Sequence, residues 1–302
     1  MRRLAIILVL LSGILTAQIP APPTPANSDD FVWVCPMDKD IRSLTAGNCP
    51  RCGMKLANGV PDPAEYHLNL TVTPRAPRVQ EPARLVFDIH DPWKNNRVTK
   101  FTLVHEKLFH AFIVSEDLEF FVHDHPVWKD NVFQYETRFP KPGIYRILGD
   151  FFPEAATPQL LVRTIIVPGN AAPPVPLKKD YSAKESENLK VELATVPPEP
   201  IAGQSTQLRF SLGSIKGIDG IDGLDGLDGL EKYLGAWGHM LAASDDLIDM
   251  IHTHPFIADG GPQIQFNLVF PRARAYRVWV QFQRNGVVNT VHFDVPVKEL
   301  GL

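Results

Sequence analysis

Residues 110–126 read HAFIVSEDLEFFVHDHP, and residues 239–255 read HMLAASDDLIDMIHTHP. The two stretches align without a gap, and in each copy the second and third histidines follow the first by 13 and 15 positions. The sequences that follow them also match, since RFPKPGIYRILGDFF after the first copy corresponds to VFPRARAYRVWVQFQ after the second. The chain therefore contains an internal duplication of a unit of roughly one hundred residues.

Each copy consists of short runs of apolar and β-branched residues separated by Pro, Gly, Asn and Asp, such as ARLVFDIHDP and LLVRTIIVPG. Runs of this length and spacing are typical of strands in a β-sandwich, and no convincing amphipathic helix interrupts them. We expect an all-β protein in which two tandem immunoglobulin-like or cupredoxin-like β-sandwich domains follow a small cysteine-rich module at 31–58. The expected bounds are 64–168 for repeat 1 and 187–298 for repeat 2, with a Pro-rich linker at 169–186.

The first residues predict the compartment of the protein. Two arginines precede an apolar run that ends at Leu15, and the small pair Thr16-Ala17 follows, which is the order of a secretory signal peptide. We therefore expect a signal peptide at 1–17, a Pro-rich linker at 18–30 and a periplasmic or secreted mature protein. The apolar run is shorter than the ~20 residues that a membrane span needs, and no later segment is apolar enough, so no span is expected after signal removal.

The charge of the chain argues against one class of partner. A net charge of -4 and a pI near 6.2 provide no basic surface for nucleic acid. The segment 217–230, GIDGIDGLDGLDGL, has no counterpart in the first copy and reads as an acidic low-complexity loop within repeat 2. Its aspartates could attract calcium weakly, and the simpler interpretation is a solvated loop.

All three cysteines, Cys35, Cys49 and Cys52, lie in the N-terminal module, and this clustering favours a shared ligand. A Cys-Pro-x-Cys-Gly turn presents two sulfurs on one side of a knuckle because Gly tolerates the backbone angles required. With Met37 and Met54 nearby, the donors are soft and suit copper or zinc. The alternative is a disulfide with one spare thiol, because export favours oxidation.

Residues 33–56, WVCPMDKDIRSLTAGNCPRCGMKL, resemble the heavy-metal-binding domain of bacterial copper and heavy-metal efflux proteins, with its pattern of CPM followed by G-x-CP-x-CGM-x-L. The resemblance implies a metal ion as ligand and a metal efflux or transport protein as a further partner. The family usually has His after CPM, whereas this chain has Asp38. Asp38, Met37, Met54 or water is therefore the candidate fourth ligand.

The histidines of the first copy are predicted to converge. If Glu116-Asp117 is a two-residue turn, His110 lies directly opposite His123, and His125 points to the same face. Three neutral imidazoles could hold copper or zinc with one coordination position left over. His105, five residues before the first histidine of the copy, is a candidate for that position.

The second copy repeats this geometry around a turn at Asp245-Asp246. Leu234 stands where the first copy has His105, so this site has one imidazole fewer. The predicted ligands of the second copy are His239, His252 and His254. In both copies, the alternative is a structural corner in which the imidazoles bond backbone carbonyls and Pro ends the strand.

The repeats also resemble, more loosely, β-sandwich domains of uncharacterised exported bacterial proteins that carry HEK-x-x-H, S-x-DL and H-x-HP segments, and this likeness implies the fold without an activity. We expect an exported heavy-metal-binding protein, with copper ahead of zinc, that acts in metal sequestration, trafficking or resistance and is not an enzyme. One alternative is a structural or interaction protein. A second is a copper or zinc enzyme, because three histidines with an open position are also a catalytic arrangement. The chain contains no P-loop, dinucleotide fingerprint, G-x-S-x-G or H-E-x-x-H motif.

Overall fold

The computed structural model of this protein describes residues 32–59, 63–215, 227–256 and 260–301. The predicted signal peptide at 1–17, the linker at 18–30 and most of the acidic segment 217–230 lie outside these residues. All regular elements of the described part are β-strands, which confirms the all-β fold class. In those same ranges, no helix is long and apolar enough to cross a membrane.

The N-terminal module is a small three-stranded antiparallel sheet. Its strands, in the spatial order β2-β1-β3, are β1 (Val32–Val34), β2 (Arg42–Ser43) and β3 (Ala57–Gly59). Below the sheet, Cys35 and Cys49 pack with Leu56 in a minimal core. So small a core offers little apolar burial, and small domains of this kind are often completed by a metal or by disulfides.

Repeat 1 is a sandwich of two four-stranded antiparallel sheets. Its strands are β4 (His67–Thr73), β5 (Pro82–His90), β6 (Phe109–Ser115), β7 (Phe121–Asp124), β8 (Val127–Lys129), β9 (Val132–Arg138), β10 (Gly143–Phe151) and β11 (Gln159–Val167). One sheet has the order β4-β5-β9-β8 and the other β11-β10-β6-β7. In β5, alternate residues are buried against the opposite sheet, as the period of a strand requires.

Repeat 2 has the same plan. Its strands are β12 (Lys184–Glu185), β13 (Lys190–Val196), β14 (Ser205–Gly213), β15 (Leu230–Glu231), β16 (His239–Ser244), β17 (Met250–Thr253), β18 (Gln263–Val269), β19 (Ala275–Arg284) and β20 (Val287–Pro296). They form the sheets β12-β13-β14-β18 and β15-β19-β16-β17, and β20 also pairs with β19. The strand β12 lies in the expected linker at 169–186 and extends this repeat.

The two repeats pack face to face through the sheets that carry the histidine segments. Every residue of β6 and of β16 is buried, so both faces of each strand are covered. In β6, Ala111 and Ile113 point into the core of repeat 1, whereas Phe112 and Val114 point towards repeat 2. The buried cluster between the repeats consists of Phe112, Val114, Leu118, Leu148, Leu241, Ala243, Leu247 and Trp279.

The predicted register of the histidine hairpins was wrong by two residues. Phe112 pairs with His123, and in the second copy Leu241 pairs with His252. The connection is longer than two residues because Ser115 N–H donates to the carbonyl of Phe120 at 3.1 Å, and Leu118 between them has a φ of 61°. Side chains alternate with a period of two, so this shift leaves the histidines on the predicted face.

Candidate metal centres

The three cysteine sulfurs and one carboxylate converge in the N-terminal module. One donor atom from each of Cys35, Asp38, Cys49 and Cys52 lies within 4.8 Å of the others. The sulfurs of Cys35 and Cys52 are 3.5 Å apart, and no disulfide joins any of the three. Sulfurs bound to one tetrahedral ion at about 2.3 Å would lie about 3.8 Å apart, so this donor set fits a thiolate-binding metal.

The predicted knuckle places these sulfurs. Gly53 adopts a φ of 75°, and its N–H donates to the carbonyl of Cys49 at 2.8 Å, while Cys49 N–H donates to Met54 O at 2.7 Å. Of the candidate fourth ligands, Asp38 lies in the cluster. Met37 and Met54 have exposed fractions of 68% and 41%. The geometry therefore favours the carboxylate as the fourth donor.

Positive charges hold Asp38 in its ionised form. Lys94, which belongs to repeat 1, and Arg51 bond the carboxylate, the latter at 3.0 Å. These hydrogen bonds lower the pKa of Asp38 to about 2. The carboxylate is thus available as an anionic oxygen at neutral pH.

The thiols differ in acidity. Burial acts to raise the pKa of Cys49, but hydrogen bonds from the backbone of Cys52 and Arg51 lower it overall. A backbone hydrogen bond from Met54 lowers the pKa of Cys52, whereas burial and the neighbouring thiols raise it to about 11. Since the thiolate is the metal ligand, metal binding here would release protons.

The first histidine triad converges as predicted from the strand period. His110 Nδ1 lies 3.2 Å from His123 Nε2 and 3.2 Å from His125 Nε2. Nitrogens bound to a common tetrahedral ion at 2.0–2.1 Å would lie about 3.3 Å apart. The spacing of the three nitrogens therefore fits a metal ion.

Hydrogen bonds on the far side of each ring define which nitrogen faces the centre. His110 Nε2 donates to the carbonyl of Val104 at 3.1 Å, and His123 Nδ1 donates to Gln281 Oε1 at 2.6 Å. A neutral imidazole carries one N–H, so the inward nitrogens of these two rings both present lone pairs. Two lone pairs that face each other form no hydrogen bond, and a cation between them would satisfy both, which favours a metal centre over a structural corner.

The second triad shows the same pattern. His239 Nε2 donates to the carbonyl of Tyr233 at 2.9 Å, and His254 Nε2 lies 3.1 Å from His239 Nδ1. His252 Nδ1 donates to the carboxylate of Asp150. The other nitrogen of this ring, His252 Nε2, is buried and has no hydrogen-bond partner. A buried nitrogen in this state is available to a metal ion.

Burial favours the neutral form of His110, His123, His125, His239 and His254. It lowers the pKa of His110 and His125 to about 4 and that of His239 to about 3. Burial also holds the pKa of His123 and His254 far below the usual range. Neutral imidazoles with free lone pairs are the form that binds copper or zinc.

His105 does not join the first triad, for which the sequence proposed it. Its ring lies 3.7 Å, centroid to centroid, from that of His254 and 5.6 Å from that of His239. The reason is a tight turn between Val104 and Lys107, in which His105 has a φ of 47°. This turn carries the side chain across the interface into repeat 2.

Sequence reasoning missed two residues of the centres, Asp150 and Gln281. They occupy corresponding positions in the two copies, opposite His110 and His239 on the neighbouring strands. The aligned strings RILGDFF and RVWVQFQ place both polar side chains at one position among apolar neighbours. A polar residue at the same place among apolar neighbours in both repeats was the available signal.

Two family models match the chain. The model described as a heavy metal binding domain matches residues 32–58, which confirms the resemblance of the N-terminal module. The model described as a domain of unknown function (DUF8832) matches residues 62–162 and 184–299, one segment for each repeat. No curated protein matches the chain.

The similar solved structures share little sequence with it. The Escherichia coli adhesin FdeC is 13% identical over 82% of this chain and 70% of its own, with a TM-score of 0.26. The Yersinia pseudotuberculosis adhesin InvE is 12% identical over 76% and 58%, with a TM-score of 0.22. The fibronectin(III)-like modules of Clostridium thermocellum CbhA are 8% identical over 77% and 95%, with a TM-score of 0.20. Likenesses at this level carry no information on activity or partners.

Proposed function

This chain belongs to the DUF8832 family, whose function its description leaves open. We propose that it is an exported protein that binds heavy metal at three places without turnover. Copper is the proposed metal, with zinc second. The proposed role is sequestration, trafficking or resistance in the periplasm or outside the cell. The heavy metal binding domain at residues 32–58 supports the metal-binding part of this proposal.

The observation that carries the proposal is the inward lone pairs of the histidine triads. His110 Nδ1 and His123 Nε2 face each other at 3.2 Å, although neither has a proton to share. His252 Nε2 is buried without a hydrogen-bond partner. One cation in each triad would satisfy these nitrogens.

The donor chemistry supports copper or zinc over harder ions. Imidazole nitrogen and thiolate sulfur suit copper and zinc, whereas calcium and magnesium prefer oxygen ligands. The exposed position of Cys52 supports transfer to a partner, since an accessible sulfur can exchange ligands with an incoming thiolate. The proposed partner is a metal efflux or transport protein.

Metal analysis of the purified mature chain tests the proposal. We expect about three copper equivalents per chain, with one lost in Cys49→Ser and one lost in the double variant His123→Ala/His125→Ala. The exposed histidine His67, which hydrogen-bonds Asn95 outside the candidate centres, provides the control variant His67→Ala. An unchanged copper stoichiometry in the double variant would contradict metal binding by the first histidine triad.

A further inference from the structure

The two histidine triads are not separate sites at opposite ends of the molecule. Four of their rings, two from each repeat, lie near one another, and all six distances between their centroids fall between 5.4 and 6.2 Å. Rings from different repeats are thus about as close as rings from one repeat. The four are His110, His123, His239 and His252.

Each repeat also orients a histidine of the other. Gln281 of repeat 2 accepts a hydrogen bond from His123 of repeat 1. In the opposite direction, Asp150 of repeat 1 accepts one from His252 of repeat 2. Because Asp150 and Gln281 are corresponding residues, the exchange is reciprocal. The tautomer of a ring in each triad depends on the neighbouring repeat.

A second reciprocal pair of contacts fixes the same arrangement. Arg146 Nε donates to the carbonyl of Leu247 at 3.1 Å, and Arg277 donates to the carbonyl of Leu118 at 3.0 Å. The two arginines are corresponding residues of the repeats, as are the two leucines. The repeats are therefore related by an approximate twofold axis that passes close to the histidines.

An apolar side chain, Phe112, covers part of the region between the triads. The ring of Phe112 lies 4.3 Å from that of His123 and 4.8 Å from that of His252, so one side chain covers a histidine of each repeat. Phe112 is itself buried in the cluster between the repeats. Separation of the repeats would expose this cluster to water and remove the partners of both histidines.

We infer that the two triads form one paired metal centre that takes two copper or zinc ions, one in each triad, and that exists only when the repeats are packed. The ring of His105 of repeat 1 packs against that of His254 in the triad of repeat 2, with centroids 3.7 Å apart. This inference rests on the proposed function, since it assumes that the triads bind metal. In the paired centre the two ions are neighbours, and each repeat helps to hold the ion of the other.

Electron paramagnetic resonance of copper(II) tests whether the ions are neighbours. The full chain with all three cysteines replaced by serine is loaded with copper(II), so that the signal comes only from copper bound by the histidines. Two adjacent copper(II) ions couple their spins, and we expect a broadened signal of reduced intensity at two equivalents. Removal of one triad by His252→Ala/His254→Ala should restore the sharp signal of one isolated ion.

The variant Gln281→Met tests the exchange between repeats. In the chain with the second triad removed, we expect copper at the first triad to bind about 10–100-fold more weakly, the usual effect of losing the residue that orients a ligand histidine. Gln283→Met is the matched control, because Gln283 lies two residues along the same strand and bonds Glu231 instead. The reciprocal variant, Asp150→Asn, should weaken the second triad when the first is removed.

The outcomes separate the inference from the proposed function. Two sharp, uncoupled copper signals, with unchanged first-triad affinity in Gln281→Met, would overturn the paired centre and leave the metal-binding function intact. Failure of the histidines to bind copper at all would overturn both. Circular dichroism of each variant checks that the fold persists. The spin-coupling measurement does not depend on the variants Gln281→Met and Asp150→Asn.

Discussion

Gln281 accepts a hydrogen bond of 2.6 Å from Nδ1 of His123, a residue 158 positions earlier in the chain. The amide nitrogen of Gln281 also donates to the hydroxyl of Thr290 at 3.0 Å. His123 therefore presents its Nε2 lone pair to the first triad. A residue in the second copy controls the chemistry of a candidate ligand in the first.

The fourth donor of the cysteine module is predicted to be the carboxylate. Asp38→Asn should weaken metal binding by about tenfold or more, about 1.4 kcal/mol, because an anionic oxygen within the cluster becomes neutral. Met54→Leu is the control and should change affinity little, since the methionine is partly exposed. The cobalt(II)–thiolate absorption, which reports the cysteines alone, measures the affinity. A larger effect of Met54→Leu than of Asp38→Asn would assign the fourth position to sulfur.

His105 is predicted to serve the second triad. His105→Leu, which introduces the residue found at the corresponding position 234, should weaken copper at the second triad because an imidazole beside His254 is lost. Chains in which only one triad remains allow each affinity to be titrated against a chelator. The copper affinity of the first triad should be unchanged. A loss of affinity at the first triad and none at the second would assign His105 to the first site.

Packing between the repeats is predicted to depend on the buried turn residue Leu247, the counterpart of Leu118 in repeat 1. Leu247 is 6% exposed, and Leu247→Ala should lower the free energy of unfolding by about 2–4 kcal/mol through the cavity it leaves. Its neighbour Ile248 is 63% exposed, and Ile248→Ala should change stability by less than about 0.5 kcal/mol. Urea unfolding followed by tryptophan fluorescence measures both. Equal losses in the two variants would mean that Leu247 does not contribute to the interface as its burial indicates.

Stability is predicted to depend on pH through the ion pair of Asp246 and Arg272, joined at 2.8 Å. Hydrogen bonds from Arg272 hold the pKa of Asp246 well below its usual value of 3.8. A carboxylate with a lowered folded-state pKa stabilises the protein above the unfolded value and loses that contribution as the pH falls through the folded one. Asp246→Asn should therefore cost about 1 kcal/mol at pH 7, a modest figure because Arg272 is partly exposed.

The difference in stability between the parent protein and Asp246→Asn should shrink below about pH 4, because Asp246 of the unfolded chain takes up a proton there while the folded protein still holds the carboxylate ionised. Urea unfolding at a series of pH values from 7 to 3 measures that difference. Asp130→Asn, at an exposed turn position with a φ of 54°, provides the control because asparagine tolerates this backbone conformation. A difference that stayed constant across the series would exclude the ion pair as its source.

The duplication, the all-β class and the side of the sheet on which the histidines lie could all be predicted from the sequence. These properties follow from local periodicity, because alternate residues of a strand point the same way whatever the register. The cysteine module was recognisable from its local motif, since its candidate donors from Cys35 to Cys52 lie within 18 consecutive residues. A register error of two residues did not disturb the predicted face.

The register, the place of His105 and the pairing of the two triads depend on the tertiary structure and could not be predicted from the sequence. The register depends on Leu118 and Leu247, which adopt positive φ values and bury their side chains between the repeats. The contacts of His123 with Gln281 and of His252 with Asp150 join residues 158 and 102 positions apart. Such contacts arise when two apolar sheet faces leave water together, and no local pattern in either repeat encodes which residues then meet.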